Sequence, residues 1–219
     1  MVASYPVDET IRDIIWGKGP LAPDIILQTW EEKIMPDTAA GTRSAFQTKD
    51  IVLIGIFAAL IAVCSWISIP TAVPFTLQTF GVFMAVEVLG GKRGTLSVLV
   101  YLLLGAVGLP VFAGFTGGMG IITGSTGGYI VGFLLGAMIM WLLETVLPNG
   151  TVTGILSMLA GLLVCYALGT LWFMWVFTRS SGPVSLMTVL GWCVIPFIIP
   201  DLIKIALAWI LSRRLRRYV

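Results

Sequence analysis

The chain contains no histidine at all. That removes the commonest metal ligand and the side chain that most often works as a general base near neutral pH. Charge is scarce as well: charged residues make up 11% of the 219 positions, where soluble domains carry about 25%. Between Ile51 and Thr178 the only ionisable acids and bases of the Asp, Glu, Lys and Arg types are Glu87, Lys92, Arg93 and Glu144. The three cysteines, Cys64, Cys165 and Cys193, stand singly in apolar segments. They form no C-x-x-C pair and point to no disulfide framework or metal cluster. Also missing are H-E-x-x-H, G-x-S-x-G, a Walker sequence and a carboxylate pair with a partner base. No catalytic set, metal or cofactor is therefore expected. No basic n-region followed by an apolar h-region opens the chain, so a cleaved secretory signal is not expected.

What remains is oil. Hydrophobic residues make up 58% of the sequence, and the mean hydropathy is +0.99. A run this long with so little charge implies several lipid-embedded helices; the period-two alternation of a membrane β-barrel is not seen. The expected fold is an all-α integral membrane protein with six transmembrane helices, at roughly 50–68, 76–90, 94–109, 127–147, 152–177 and 187–211. A full crossing takes about 20 residues, so the second and third segments are short. Neighbouring loop backbone is then expected at membrane depth, which is tolerated where it is buried in protein or lines a cavity.

Positive charge orients the bundle. Arg43 and Lys49 precede the first span, Lys92 and Arg93 separate the second from the third, and "RRLRRYV" ends the chain. With alternating spans these fall on one side, which the positive-inside rule makes the cytoplasm; only Arg179 departs. Both termini are then cytoplasmic, and loops 69–75, 110–126 and 178–186 face outward. The arginine tail is read as topology, with no nucleic-acid partner. Residues 1–49 form a polar extension, in which Ile26, Trp30 and Ile34 outline a short amphipathic surface helix; a disordered extension is the plain alternative. Residues 50–212 make up the membrane domain, and 213–219 a basic cytoplasmic tail.

Three stretches carry polar groups into this apolar frame. In "IPTAVPFTLQTFGVF", Thr76, Gln78 and Thr79 enter beside Phe75 and Phe80, a combination that suits a neutral, partly polar ligand. In "GLPVFAGFTGGMGIITGSTGGYIVGF", glycines including Gly117, Gly118 and Gly128 allow close backbone approach, and Thr126 and Tyr129 add hydrogen-bonding groups. In "VIPFIIPDLIKIALAWIL", Asp201 and Lys204 share a helix face at i, i+3. An ionised side chain at the centre of a lipid-facing helix costs about 2.5–3.5 kcal/mol on insertion scales, so the pair is expected to turn inward, with Pro196 and Pro200 bending the helix around it. Glu87 and Glu144 are assigned to no site; Glu87 lies about one turn from Lys92 and Arg93. Small residues recur every four positions at Ala58 and Ala62, at Gly128, Gly132 and Gly136, and at Gly161, Cys165 and Gly169. Such faces allow close helix packing, inside the bundle or against a partner.

Taken in order, "VPFTLQTFGVF", "GGKRGTLSVLVYLLLGAVGLPVFAG", "GSTGGYIVGF" and "PDLIK" resemble the BioY family, the biotin-specific substrate-capture (S) components of energy-coupling-factor (ECF) transporters. The resemblance covers about residues 50 to 212. It implies biotin as substrate, bound from outside. It also implies a transmembrane coupling protein and ABC-type ATPase subunits as partners in the lipid bilayer, with Ala58 and Ala62 on the docking face. Lys204 would pair the valerate carboxylate and Asp201 would accept from a ureido N–H. Thr76, Gln78 or loop N–H groups would meet the ureido carbonyl, with Phe75, Phe112 or Tyr129 against the apolar parts. Two positions depart from the pattern: Ser125 stands where proline is expected, and Glu87 where an apolar residue is. Other readings are a capture subunit for another small vitamin, an intramembrane enzyme using Asp201, and a membrane-anchored scaffold.

Overall fold

The computed structural model describes residues 47–71, 73–148 and 150–218. The amphipathic segment around Ile26, Trp30 and Ile34 lies outside them. The described chain is mostly helical: α1 (Thr48–Trp66), α2 (Gln78–Leu89), α3 (Gly91–Val107), α4 (Met119–Thr123), α5 (Gly127–Val146), α6 (Thr151–Ser181), α7 (Leu186–Cys193) and α8 (Ile195–Leu215). Between α1 and α2 a two-residue antiparallel hairpin pairs β1 (Ser68–Ile69) with β2 (Phe75–Thr76), in the register Ser68 to Thr76 and Ile69 to Phe75. Four helices, α1, α5, α6 and α8, are long and apolar enough to cross a membrane. The apolar α2 spans only 12 residues, and α3 spans 17.

The element boundaries follow from local chemistry. The Gln47 N–H donates to the Asp50 carboxylate at 3.2 Å, closing the first turn of α1, and Asp50 also meets Arg93 of α3 at 3.2 Å. Between α2 and α3 the chain turns at Gly90, whose φ of +81° is readily reached only without a Cβ. The N–H of Gly91 then donates to the Glu144 carboxylate. That carboxylate satisfies a backbone donor that the start of α3 leaves open.

The core is built around α2. Ten of its residues from Thr79 to Leu89 are buried, which is why it is apolar on all sides rather than on a stripe. α5 and α6 form the most extensive helix pair. Their small faces meet each other: a Cβ on Gly136 would lie 2.7 Å from the Gly161 carbonyl oxygen, and one on Gly132 would lie 3.1 Å from the Cys165 Cα. These two stripes serve packing within the bundle.

Three expectations need correction. First, Ala58 and Ala62 do not face outward: they are 2% and 6% exposed and belong to the core. The helix register instead presents Val52, Gly55, Ile56, Ala59 and Val63. Second, the segment expected at 187–211 is two helices, broken at Val194 (φ −127°, ψ −56°). Pro196 therefore lies at the first positions of α8, where its missing N–H costs little, and only Pro200 is interior. Third, Glu87 reaches Arg216 at 3.6 Å, and the Arg216 Nε donates to the Glu87 carbonyl. Arg93, one of the two basic residues about one turn from Glu87, meets Asp50.

Candidate functional site

A cavity of about 280 Å³ opens among α2, α5, α6, α8, the hairpin and the 110–126 loop. It lies just below the usual range of small-molecule sites, about 300–1,000 Å³. Its walls are largely apolar: Val73, Phe112, Ile121, Ile130, Phe133 and Phe197 all line it. Polar groups enter at a few points, and the most polar point is where α2 and α8 approach each other.

Asp201 and Lys204 sit there, 2% and 4% exposed. Lys204 Nζ lies 2.7 Å from Asp201 Oδ1. It also donates to the Thr76 carbonyl at 2.6 Å and to Thr79 Oγ1 at 3.2 Å. An ammonium group has three protons, so each has an acceptor. The Phe75 ring adds a face, with its centroid 4.4 Å from Nζ. Thr79 donates in turn to Asp201 Oδ1 at 3.1 Å, and the Tyr166 hydroxyl donates to Asp201 Oδ2 at 2.5 Å. A buried ion pair is tolerable when its remaining donors and acceptors are met, and here three helices and a strand supply them. Asp201 is the one carboxylate lining the cavity among the described residues.

The roof is tied to the end of α1. The Ser65 hydroxyl donates to the Val111 carbonyl at 2.5 Å, the Trp66 indole N–H donates to the Pro110 carbonyl at 2.8 Å, and the Trp66 ring stacks on Phe115 at 5.0 Å. Phe112 is pinned edge-on against Tyr101, with ring centres 5.6 Å apart. One buried amide lies beside the ion pair without a partner: Gln78 is 5% exposed and lines the cavity, and its Nε2 makes no hydrogen bond among the described residues. A buried donor left unpaired is costly, so its place in a ligand cavity is informative.

The residues expected from sequence divide clearly. Asp201, Lys204, Thr76, Gln78, Thr126 and Tyr129 all reach the cavity wall. Phe75 stands behind Lys204 and contacts Phe197, with ring centres 5.7 Å apart. Gly117, Gly118 and Gly128 are not brought into the wall. A Cβ on Gly117 would lie 2.2 Å from the Leu109 carbonyl oxygen, and one on Gly128 would lie 2.2 Å from the Trp172 side chain. The Gly118 N–H is spent on the Gly105 carbonyl at 2.7 Å. These glycines shape the loop and pack α5 on α6. Sequence reading did not select Thr79 or Tyr166 for the site. Thr79 was visible as a third polar residue beside Thr76 and Gln78. Tyr166 gave no signal, because its partner lies 35 residues away on another helix.

The comparisons with known proteins agree with one another. A family model described as the BioY family matches residues 37–219. The chain is 44% identical to "Biotin transporter BioY" of Thermotoga maritima over 170 residues, covering 77% of this chain and 96% of that protein. It is 43% identical to "Probable biotin transporter BioY" of Pyrococcus horikoshii over 171 residues, 78% of this chain and 98% of that one. Among solved structures, an S-component for biotin from an ECF-type ABC transporter superposes with a TM-score of 0.68 at 29% identity, covering 80% of this chain and 96% of that chain.

Proposed function

The chain belongs to the BioY family, and we propose that it captures biotin and serves its uptake as the substrate-specific component of an ATP-driven ECF transporter in the plasma membrane. It works with a transmembrane coupling protein and ABC-type ATPase subunits, and acts by binding rather than by catalysis. The observation that carries this reading is the buried Asp201–Lys204 pair at the polar end of the cavity, beside the unpartnered amide of Gln78. A cation, an anion and a spare amide donor gathered at one point of an otherwise apolar space match a ureido group, with its N–H donors and its carbonyl.

The residue roles follow from donor and acceptor type. Asp201 accepts from a ureido N–H, and Lys204 and Gln78 Nε2 donate to the ureido carbonyl. Lys204 Nζ lies 2.7 Å from Asp201 Oδ1, so the valerate carboxylate, at the far end of biotin, is not placed on Lys204 as the sequence resemblance implied. Phe112 and Tyr129 flank the thiolane and its chain, while Thr76 and Thr126 close the polar edge. Phe75 backs the Lys204 ammonium. Gly117, Gly118 and Gly128 hold the loop and helix start that carry these groups.

The membrane domain, 50–212, makes six crossings with both termini cytoplasmic, α7 and α8 together forming the last. The short α2 and α3 are completed by the hairpin and the 108–126 loop at membrane depth. Lys92 and Arg93, together with the 213–219 tail, support this orientation by the positive-inside rule. The coupling protein docks on the outward stripe of α1, where Gly55 and Ala59 are the small positions. The test is binding of labelled biotin to the purified protein. Saturable binding in the nanomolar-to-micromolar range is expected, and its absence sinks the proposal.

A further inference from the structure

Asp201 is held by more than its lysine. A carboxylate offers about four lone-pair sites. Oδ1 uses two, for Lys204 Nζ at 2.7 Å and Thr79 Oγ1 at 3.1 Å. Oδ2 uses one, for the Tyr166 hydroxyl at 2.5 Å. One site on Oδ2 is left. The donors come from three helices: Lys204 from α8 itself, Thr79 from α2, and Tyr166 from α6 across the cavity. The i, i+3 pair on α8 would hold its distance without α6. It would not fix the rotation of the carboxylate about its own axis, because Lys204 and Thr79 both grip the same oxygen.

We infer that Tyr166 is a positioning and specificity-determining residue: by engaging Asp201 Oδ2 from α6, it aims that oxygen's remaining lone pair into the cavity for a ligand N–H. The inference rests on the biotin reading for the identity of the N–H donor. The geometric link between Tyr166 and Asp201 stands without it. Tyr166 itself lines the cavity and is half-buried, so its hydroxyl closes the ligand space as well as holding the carboxylate. Charge-assisted hydrogen bonds of this length are the strong ones. Removing the hydroxyl takes from Oδ2 of a buried anion the side-chain donor that holds it. The carboxylate then turns, and a ureido N–H no longer meets it.

The test uses the full-length protein in detergent with Tyr166→Phe, which keeps the ring and deletes only the hydroxyl. Biotin affinity is expected to fall about 10-fold or more, in line with the loss of a hydrogen bond to a charged group. A residue that only packs would leave affinity within about twofold while lowering the melting temperature. The second readout is coupling: Thr79→Val removes the other hydroxyl from the same carboxylate. The double variant is expected to lose more affinity than the product of the two single losses, whereas independent sites multiply. Ligand-free melting supplies the third: Tyr166→Phe should lower the melting temperature in the wild-type background and leave it unchanged in an Asp201→Ala background, which has no side-chain acceptor. If the wild type binds no biotin, the biotin reading fails, and the melting cycle still decides the Tyr166–Asp201 link. If the wild type binds but Tyr166→Phe binds within twofold, or the losses simply multiply, the inference is overturned.

Discussion

Lys204 has no slack, since all three of its protons are engaged by protein acceptors. A ligand carbonyl must therefore share or displace one of these acceptors. The Thr79 hydroxyl can rotate, and the Thr76 carbonyl belongs to a short strand, so both can yield more readily than Asp201. The ligand's charge is the quantity to vary. Lys204→Ala strands Asp201 as a buried, half-satisfied anion and destabilises the fold, so comparing it with wild type mixes two effects. Comparing two ligands on the same variant cancels the second. Biotin and biotin amide, which carries no carboxylate, are both expected to lose about 30-fold or more in affinity on Lys204→Ala, as titration calorimetry would show. A several-fold larger loss for biotin would mean that Lys204 meets the carboxylate instead of the ureido carbonyl. At this scale the sequence was informative where polar residues broke an apolar run: Asp201, Lys204, Thr76 and Gln78 all stood out. Tyr166 did not, because a tyrosine in a membrane helix is ordinary until its partner on another helix is known.

At the scale of elements, the glycine stripes of α5 and α6 replace a hydrophobic driving force that lipid cannot supply. They let backbones approach until side chains no longer fit. Gly136 is the clearest case, since its would-be Cβ lies 2.7 Å from the Gly161 carbonyl oxygen. Gly136→Leu is expected to force the helices apart, costing about 1–3 kcal/mol or more and lowering the melting temperature in detergent by several degrees. Gly55 on the outward stripe of α1 has nothing within 4 Å of its would-be Cβ. Gly55→Leu should leave the melting temperature unchanged, and a drop matching that of Gly136→Leu would contradict the register assigned to α1. The pattern of small residues every four positions was legible in the sequence, but its direction was not. Spacing places residues on one face without saying whether that face meets a neighbour or lipid. For this reason Ala58 and Ala62 were misplaced by one position around the helix. The prolines near 196–200 show a related limit: a Pro near a helix start is harmless and one in the interior is disruptive, and only the break at Val194 separates the two cases.

For the whole molecule, a cluster of side chains draws five helix ends together at the side carrying the arginine tail. Arg216 lies 3.6 Å from Glu87 and 3.9 Å from Glu144. Glu144 meets the start of α3, and Glu87 meets Ser157 of α6 at 3.5 Å. α6, with 31 residues, is about 46 Å long at 1.5 Å per residue, well beyond the ~30 Å hydrocarbon core. One of its ends therefore stands outside the core or the helix tilts. Sidedness is directly measurable. All three native cysteines are buried, which keeps background labelling low. In intact cells a membrane-impermeant maleimide is expected to label Arg179→Cys and spare Lys92→Cys, and the reverse pattern would invert the proposed topology.

Composition and local pattern were enough to establish a helical membrane protein, its orientation signals and most of the polar residues that converge on the cavity. They sufficed because lipid demands apolar helices, and each polar exception then stands out against that background. Other features needed the folded chain: the break between α7 and α8, the inward turn of Ala58, the packing role of Gly117 and Gly128, and the reach of Tyr166 to Asp201. Each depends on which surfaces of different helices meet, and that is set by packing among all the helices together rather than by the period of any one of them.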